Sequence, residues 1–449
     1  MKKIIIGLVA VIALLALLAP KLLGFSVLHL NHAVQVSTSL SAKLACSSKF
    51  ITGLNDQQIV KDLSSYSPVA NLVDIEYDLD NQRVNTHLYG MAAATAQFKV
   101  GVGCSLVAKG NDSNKNLELS ALPDNTLTWP AGSSADKIAP SVQDEVTNIM
   151  RSDNEKGYNT RALLVVKDGE LIAEAYGPNI TPATPLLGWS MAKSTTAILL
   201  AILEQQQMIS RQQTQLFQEW KNDERANLTL THLLQMSSGL GFDETYAPGS
   251  DATHMLFTAE SASDVAIKSP LAHLPGKHFS YSSGTTNLLS RLISNTLGGD
   301  AQTVQNFVQA ELFQPLGMTN SIFEVDTSGV MVGSSYLYSS GRDWARLGLL
   351  MLNDGVINEK RLLPSGWTEA AQAPNSSDND KRYGYQFWLN SGERELRWPQ
   401  LPKDAYAMMG NRKQSVMIIP SKNVVLVRVG WTTGEYPMAF NYSKLLDAL

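Results

Sequence analysis

The chain has 449 residues, of which 44% are hydrophobic and 17% charged, and its formal net charge is −5. A chain of this length and composition buries a large core and has room for two or three domains. Its acidic balance, with no lysine- or arginine-rich run beyond the terminal pair, excludes the basic surface that nucleic acids require, so no nucleic acid partner is expected.

The N-terminus has the pattern of an export segment. Lys2 and Lys3 precede an uncharged, mostly apolar run over residues 4–19, an arrangement that places the rest of the chain outside the cytoplasm. With leucine and phenylalanine beyond Lys21, the run approaches the roughly 20 residues that span a bilayer. A cleavage site is poorly formed, since Leu17 stands at −3 and Pro20 follows directly. We therefore expect residues 1–25 to be an anchor, with residues 4–25 in the inner membrane and the protein periplasmic or otherwise extracytoplasmic; a cleaved signal is the alternative.

Residues 26–120 are expected to form a small N-terminal module. Short apolar runs that alternate with polar turns, such as residues 72–77, predict strands. The two cysteines, Cys46 and Cys104, predict a disulfide in an exported protein, with two unrelated buried thiols as the alternative. Residues 109–140 are rich in Asn, Ser, Asp, Gly and Pro, which is typical of a linker.

Residues 121–449 carry the longer elements of a second domain. Apolar residues 162–166 and 171–176 flank Asp168-Gly169, which predicts a β-hairpin. The unbroken apolar pattern over residues 190–208 predicts a buried helix, and residues 415–419 and 424–429 predict strands near the C-terminus. Strands at both ends of a helical middle predict an α/β (α+β) domain with an inserted α domain, and a site at the junction of the two.

The stretch GWSMAKS at residues 188–194 fits two nucleophile motifs. It is one residue short of the G-x-S-x-G elbow of α/β-hydrolases, because Ala192 replaces the second glycine, and it is also a full S-x-x-K. The elbow requires a histidine after the last strands, yet the final histidine in the chain is His278. A loop rich in Thr and Pro, rather than a strand, also precedes Ser190, so the sequence favours S-x-x-K.

Three residues along a helix place Lys193 on the same face as Ser190. A helix N-terminus and burial both disfavour an ammonium, so a lowered lysine pKa is expected. The backbone N–H of Ser190 could also donate to an oxyanion. The pattern is short, and it needs a partner base and a second oxyanion donor to specify an enzyme.

A second segment, PGKHFSYSSGTTNLL at residues 275–289, completes a resemblance. With SMAKS, TLTHLLQMSSGL (229–240) and LFQPLGM (312–318), it resembles the serine β-lactamase and penicillin-binding-protein superfamily, in particular the class C-like esterase and amidase branch that includes 6-aminohexanoate-dimer hydrolases. The resemblance covers residues 140–449. It implies a transpeptidase fold, an antiparallel sheet flanked by helices, with Ser190 as the acylated nucleophile, Lys193 beside it and Tyr281 as general base. A tyrosine that faces an ammonium is expected to have its anion stabilised.

The sequence departs from this superfamily at the third motif. Met408-Met409-Gly410 stands where β-lactamases and D,D-peptidases have K-T-G or H-T-G, so only the glycine is kept. By the resemblance, Gly410 allows the substrate to approach and the N–H of Asn411 is the second oxyanion donor. Arg412 or Lys413 could replace the missing group that recognises a carboxylate.

Three further residues are implied as substrate-binding. Ser283 replaces the asparagine of the Y-x-N form, as expected for the dimer-hydrolase-like branch. Glu244 and Tyr246 lie in a segment that resembles one lining the substrate site of those enzymes. A solvated loop is the alternative interpretation for both.

The sequence therefore predicts an exported serine hydrolase that cleaves a small-molecule ester or amide through an acyl-enzyme. A β-lactamase or D,D-peptidase is the alternative within enzymes, and a non-catalytic, acylatable sensor is the alternative outside them. No cofactor is expected, and no metal site, because the chain has no H-E-x-x-H or paired Cys/His spacing.

Overall fold

The computed structural model describes residues 29–108, 115–119, 126–132, 134–135, 137–391 and 395–449. The expected anchor at residues 4–25 lies outside these residues. Within the described ranges, none of the helices combines the length and hydropathy of a membrane span.

The N-terminal module is a four-stranded antiparallel meander covered by a long helix. Its elements are α1 (Leu30–Ser47), α2 (Asp56–Ser64), β1 (Asp74–Asp78), β2 (Arg83–Leu88), β3 (Met91–Lys99) and β4 (Gly103–Leu106). The strands pair in sequence order, and α1 packs on β2 and β3. A disulfide joins Cys46 at the end of α1 to Cys104 in β4, so the predicted pairing is present.

The strands of the rest of the chain are β5 (Thr160–Lys167), β6 (Glu170–Tyr176), β7 (Leu186–Leu187), β8 (Ser321–Phe323), β9 (Leu337–Ser339), β10 (Val356–Ile357), β11 (Lys360–Arg361), β12 (Trp388–Leu389), β13 (Tyr406–Gly410), β14 (Gln414–Ile419) and β15 (Val424–Gly430). The main sheet has the antiparallel order β12-β13-β14-β15-β5-β6. The predicted hairpin is confirmed as β5–β6, with Asp168 and Gly169 both at positive φ in its turn. The predicted C-terminal strands are β14 and β15.

The helices of this part are α3 (Pro140–Glu155), α4 (Met191–Gln205), α5 (Leu230–Leu234), α6 (Asp251–Phe257), α7 (Ala262–Ala266), α8 (Ser283–Thr296), α9 (Ala301–Val308), α10 (Gln314–Leu316), α11 (Gly341–Leu352), α12 (Trp367–Gln372) and α13 (Met438–Asp447). Helix α4 is the buried helix predicted after residue 190, and its side chains are buried from Met191 to Leu203. The helical middle of the chain lies between β7 and β8.

Both faces of the main sheet are buried, and the side chains alternate between them. In β5, Leu164 and Val166 join the core under α4 and α11, whereas Leu163 and Val165 join the core under α3 and α13. Successive residues of a strand point to opposite faces, so a continuous apolar run fits a strand covered on both sides. The antiparallel sheet flanked by helices confirms the predicted fold class.

The N-terminal module shares the larger core with the main domain. Ala42, Leu44 and Val84 belong to the same buried cluster as Leu164 and Ile198. The ammonium of Lys43 in α1 also pairs with the buried carboxylate of Glu324, which follows β8. The module is thus joined to the rest of the protein through packed side chains as well as through the chain itself.

Candidate active site

Ser190 stands immediately before α4 and lines a cleft of about 710 Å³. Trp189 before it has a φ of +50°, a left-handed conformation that a bulky side chain rarely adopts. Gly188 permits this turn to lie close to the core, because a Cβ there would come within 2.1 Å of the Trp344 ring. The turn therefore directs the Ser190 hydroxyl into the cleft at the start of a buried helix.

Lys193 lies one helical turn beyond Ser190 and is fully enclosed. Its Nζ donates hydrogen bonds to Ser283 Oγ at 2.9 Å and to the carbonyl oxygen of Ser334 at 3.0 Å. Burial lowers the pKa of Lys193 to about 8, although the negative charge of Glu244 acts in the opposite direction. A substantial fraction of this lysine is therefore neutral near pH 8 and can accept a proton.

Tyr281 lines the same cleft as Ser190 and is held in place by aromatic packing. Its ring stacks on Trp388 with the centroids 5.2 Å apart. The Lys193 Nζ lies 5.1 Å from the centre of the Tyr281 ring. Burial raises the pKa of Tyr281, and the charge of Glu244 raises it further. The expectation of a stabilised tyrosine anion is wrong, because burial disfavours the anion. Burial also lowers the pKa of the neighbouring Lys193, so a smaller fraction of that lysine carries a positive charge.

Gly410 brings the end of β13 against the turn that precedes Ser190. A Cβ at Gly410 would lie 2.1 Å from the carbonyl oxygen of Gly188, so no larger residue fits without movement. The next residue, Asn411, lines the cleft with Ser190. Met408 is buried in the core under α4 and Met409 packs on the opposite face of the sheet, and neither is among the residues that line the cleft.

Glu244, Tyr246 and Ser283 form one hydrogen-bonded group. The backbone N–H of Ser283 donates to Glu244 Oε2 at 2.8 Å, and its Oγ donates to Oε1 of the same carboxylate. The Tyr246 hydroxyl lies 3.0 Å from both Glu244 Oε1 and Ser283 Oγ. Since Ser283 Oγ also accepts from Lys193, the carboxylate is connected to the lysine through a single hydroxyl.

Tyr66 also lines the cleft, although no sequence motif predicts it as a site residue. The Arg412 guanidinium stacks 3.9 Å from the centre of the Tyr66 ring, and Asn411 Nδ2 donates to its hydroxyl at 3.3 Å. Lys413 faces Glu435 instead, at 3.4 Å. No local pattern could have paired Tyr66 with residues almost 350 positions later. Of the two cations that could recognise a carboxylate, only Arg412 lines the cleft.

In the described part of the chain, no group of histidine, cysteine and acidic side chains is arranged to hold a metal ion. The site residues predicted from sequence nevertheless lie close together. Ser190, Tyr246, Tyr281 and Asn411 line the cleft itself, while Lys193, Ser283, Glu244 and Gly410 contact those residues from behind.

Comparisons with known proteins converge on one family. A family model described as Beta-lactamase matches residues 143–445. A 6-aminohexanoate-dimer hydrolase from Paenarthrobacter ureafaciens is 22% identical over 314 residues, which are 65% of this chain and 79% of that protein.

Solved structures share the fold. A Bacillus anthracis structure assigned as a 6-aminohexanoate-dimer hydrolase has a TM-score of 0.56 and 23% identity, and the match covers 66% of this chain and 80% of that one. EstCE1, described as a hydrolase with promiscuous acyltransferase activity, has a TM-score of 0.55 and 14% identity, with 69% of this chain and 98% of that chain covered.

Proposed function

The chain belongs to the beta-lactamase family of serine hydrolases, and we propose that it cleaves an ester or amide bond through an acyl-enzyme on Ser190. One observation carries this proposal: Ser190, at a helix N-terminus, and Tyr281 line the same cleft, and the Nζ of the buried Lys193, whose pKa is lowered, lies 5.1 Å from the centre of the Tyr281 ring. This arrangement supplies a nucleophile and a proton acceptor within one enclosed site.

In the acylation step, Ser190 Oγ attacks the carbonyl carbon of the substrate. Because burial disfavours a free tyrosine anion, Tyr281 accepts the serine proton as its own proton passes to neutral Lys193. The backbone N–H groups of Ser190 and Asn411 donate to the oxyanion. The proton held on the Tyr281–Lys193 pair then goes to the departing alcohol or amine as the bond to it breaks.

Deacylation repeats this sequence with water as the nucleophile. Water loses its proton to the same Tyr281–Lys193 pair and attacks the acyl carbon, and Ser190 recovers a proton when the acid departs. Ser283 holds the Lys193 side chain near Tyr281 in both steps, because its Oγ accepts from Nζ while donating to Glu244.

An ester or amide without a carboxylate beside the scissile bond is favoured over a β-lactam or a D,D-peptide. Met408 and Met409, which stand in the sequence where K-T-G is expected, are apolar and do not line the cleft. The cation that lines the cleft, Arg412, is already stacked on Tyr66. The similarity to a 6-aminohexanoate-dimer hydrolase supports the same preference.

The test uses purified residues 26–449 with a p-nitrophenyl ester, nitrocefin and an aminohexanoate-type amide, beside Ser190→Ala. We expect ester or amide turnover that is lost in the variant, and labelling by a fluorophosphonate that peptide mapping assigns to Ser190. Ser335→Ala, which removes another hydroxyl that lines the cleft, is the matched control and should still be labelled.

Three other results would contradict this expectation. Nitrocefin turnover without ester or amide turnover would support the β-lactamase alternative and assign carboxylate recognition to Arg412. Labelling of Ser190 without turnover of any substrate would favour a sensor. An unlabelled Ser190 in folded protein would refute the acyl-enzyme.

We further propose that the enzyme is exported and held at the membrane by residues 4–25. The Cys46–Cys104 disulfide supports an oxidising compartment. Fractionation of the full-length chain should find it in the inner-membrane fraction after a carbonate wash, with its disulfide formed. Recovery in the cytoplasmic fraction with reduced cysteines would refute both parts of this proposal.

A further inference from the structure

One wall of the Ser190 cleft comes from the N-terminal module, which precedes the range matched by the family model. Helix α1 contributes Ala33, Val36, Ser37 and Leu40 to this wall, and the turn after α2 contributes Val69. The residues that determine what fits beside the nucleophile are therefore not confined to the hydrolase domain.

The four α1 residues form one stripe on the helix. Their spacing of i, i+3, i+4 and i+7 places them on a single face, one above another. This face carries two aliphatic side chains, an alanine and a small hydroxyl, and no charge. Val36 and Leu40 are partly exposed, although both also pack against the larger core.

The opposite side of the cleft is apolar as well. Leu256 and Phe257 at the end of α6 face the cleft together with Pro248. Among the described residues that line the cleft, Arg412 is the one with a charged side chain, and it lies at the Asn411 end. Apart from the hydroxyl groups of Ser37 and Thr253, the space between α1 and α6 is bounded by hydrocarbon.

Helix α1 is fixed in place rather than loosely attached. Glu324 Oε1 accepts hydrogen bonds from Ser47 Oγ and from the backbone N–H of Cys104, both at 2.8 Å, and its other oxygen pairs with Lys43. The disulfide between Cys46 and Cys104 ties the same end of the helix to β4. A wall held this firmly can present a preformed binding surface to a substrate.

We propose that the substrate carries an apolar chain on its scissile ester or amide, and that this chain lies between the α1 stripe and the Leu256–Phe257 wall. The inference rests on the proposed function and specifies its substrate class. An apolar chain is recognised there because its transfer from water to hydrocarbon surroundings is favourable, whereas a charged or strongly hydrated group would lose its hydration without a partner.

The expected preference in kcat/KM for longer chains follows from the number of methylene groups that the cleft buries. One buried methylene contributes about 0.8 kcal/mol, which corresponds to roughly fourfold in kcat/KM, so partial burial of a longer chain should give at least about tenfold between acetyl and octanoyl esters. Two series of ester substrates show whether the apolar chain belongs to the acyl part or to the alcohol part of the substrate. p-Nitrophenyl esters from acetate to octanoate vary the acyl part, and acetate esters from ethanol to octanol vary the alcohol part.

Val36→Gln places an amide in the stripe, and Val34→Gln makes the same change two residues earlier in α1, at a position that does not line the cleft. We expect Val36→Gln to lower the ratio of kcat/KM for the octyl-length over the two-carbon substrate by at least about fivefold, in the series that shows the preference. The same ratio should stay within about twofold of wild type in Val34→Gln.

The possible results test the binding of an apolar chain separately from the proposed acyl-enzyme function. Turnover that is independent of chain length in both series, with Ser190 acylated, overturns the inference and leaves the proposed function intact. Equal loss of preference in the two variants overturns the assignment of the chain to the α1 stripe. An absence of turnover and of Ser190 labelling overturns the proposed function, and the inference with it.

Discussion

Replacement of Glu244 by glutamine should move the whole pH profile of hydrolysis to lower pH. Glu244 accepts from Ser283 Oγ, and Ser283 Oγ accepts from Lys193, so the carboxylate and the ammonium are separated by one hydroxyl. The carboxylate charge raises the pKa of both Lys193 and Tyr281. Removal of that charge should therefore lower both pKa values.

The direction in which the pH profile of kcat/KM moves depends on which protonation state of Lys193 is active. In the proposed mechanism Lys193 accepts a proton and must be neutral, so kcat/KM rises as the pH increases through its pKa of about 8. Two charges about 5 Å apart interact by about 3 kcal/mol at an effective dielectric constant of 20 and by under about 1 kcal/mol in bulk water. Since about 1.4 kcal/mol corresponds to one pKa unit, the acid limb in Glu244→Gln should move down by about one unit.

The assay is kcat/KM for a short p-nitrophenyl ester between pH 5 and pH 10, with product detected at its isosbestic wavelength. Glu260→Gln makes the same change at an exposed position and should leave both limbs in place. An acid limb that stays fixed or moves upward in Glu244→Gln would show that neutral Lys193 is not the proton acceptor, even if the overall rate falls.

Three other substitutions test separate parts of the structure. Tyr281→Phe removes the hydroxyl of the proposed base and should lower kcat by about 10²- to 10⁴-fold with the unfolding midpoint retained; a loss below tenfold would exclude a general-base role. Gly410→Ala places a Cβ 2.1 Å from the Gly188 carbonyl oxygen and should lower kcat about 100-fold by displacing the oxyanion donor, so wild-type acylation in a burst experiment would contradict that geometry. Lys43→Met leaves the buried Glu324 without its cationic partner and should lower the free energy of unfolding in urea by about 3–5 kcal/mol, whereas a loss under about 1 kcal/mol would mean that the pair contributes little.

Elements with strong local patterns were predicted well from sequence. The Asp168-Gly169 turn requires two residues at positive φ, and the apolar runs on either side fit strands buried on both faces, so the β5–β6 hairpin was recognisable. The S-x-x-K spacing also predicts the relative position of its serine and its lysine. Three residues along a helix bring Ser190 and Lys193 to one face whatever surrounds them, although the helix begins at Met191 rather than at the serine itself.

The electrostatics of the site could not be predicted in the same way. A lowered lysine pKa followed from the expectation of burial, and the structure agrees. The direction for Tyr281 was predicted incorrectly, because it depends on the balance between desolvation and nearby charges after folding. The carboxylate of Glu244 enters that balance only because its loop returns to the start of α8, a contact between residues almost 40 positions apart.

The sequence by itself determined the nucleophile motif, the sheet and its hairpin, the disulfide pair and the family, because each depends on short-range periodicity or on ordered motifs. Only the tertiary structure decided that α1 lines the Ser190 cleft, that Tyr66 lies under Arg412, and that Lys43 is paired with Glu324. These contacts join segments separated by hundreds of residues. The side chains concerned show no distinctive local spacing, and their proximity arises only when the N-terminal module packs on the hydrolase domain to bury a common core.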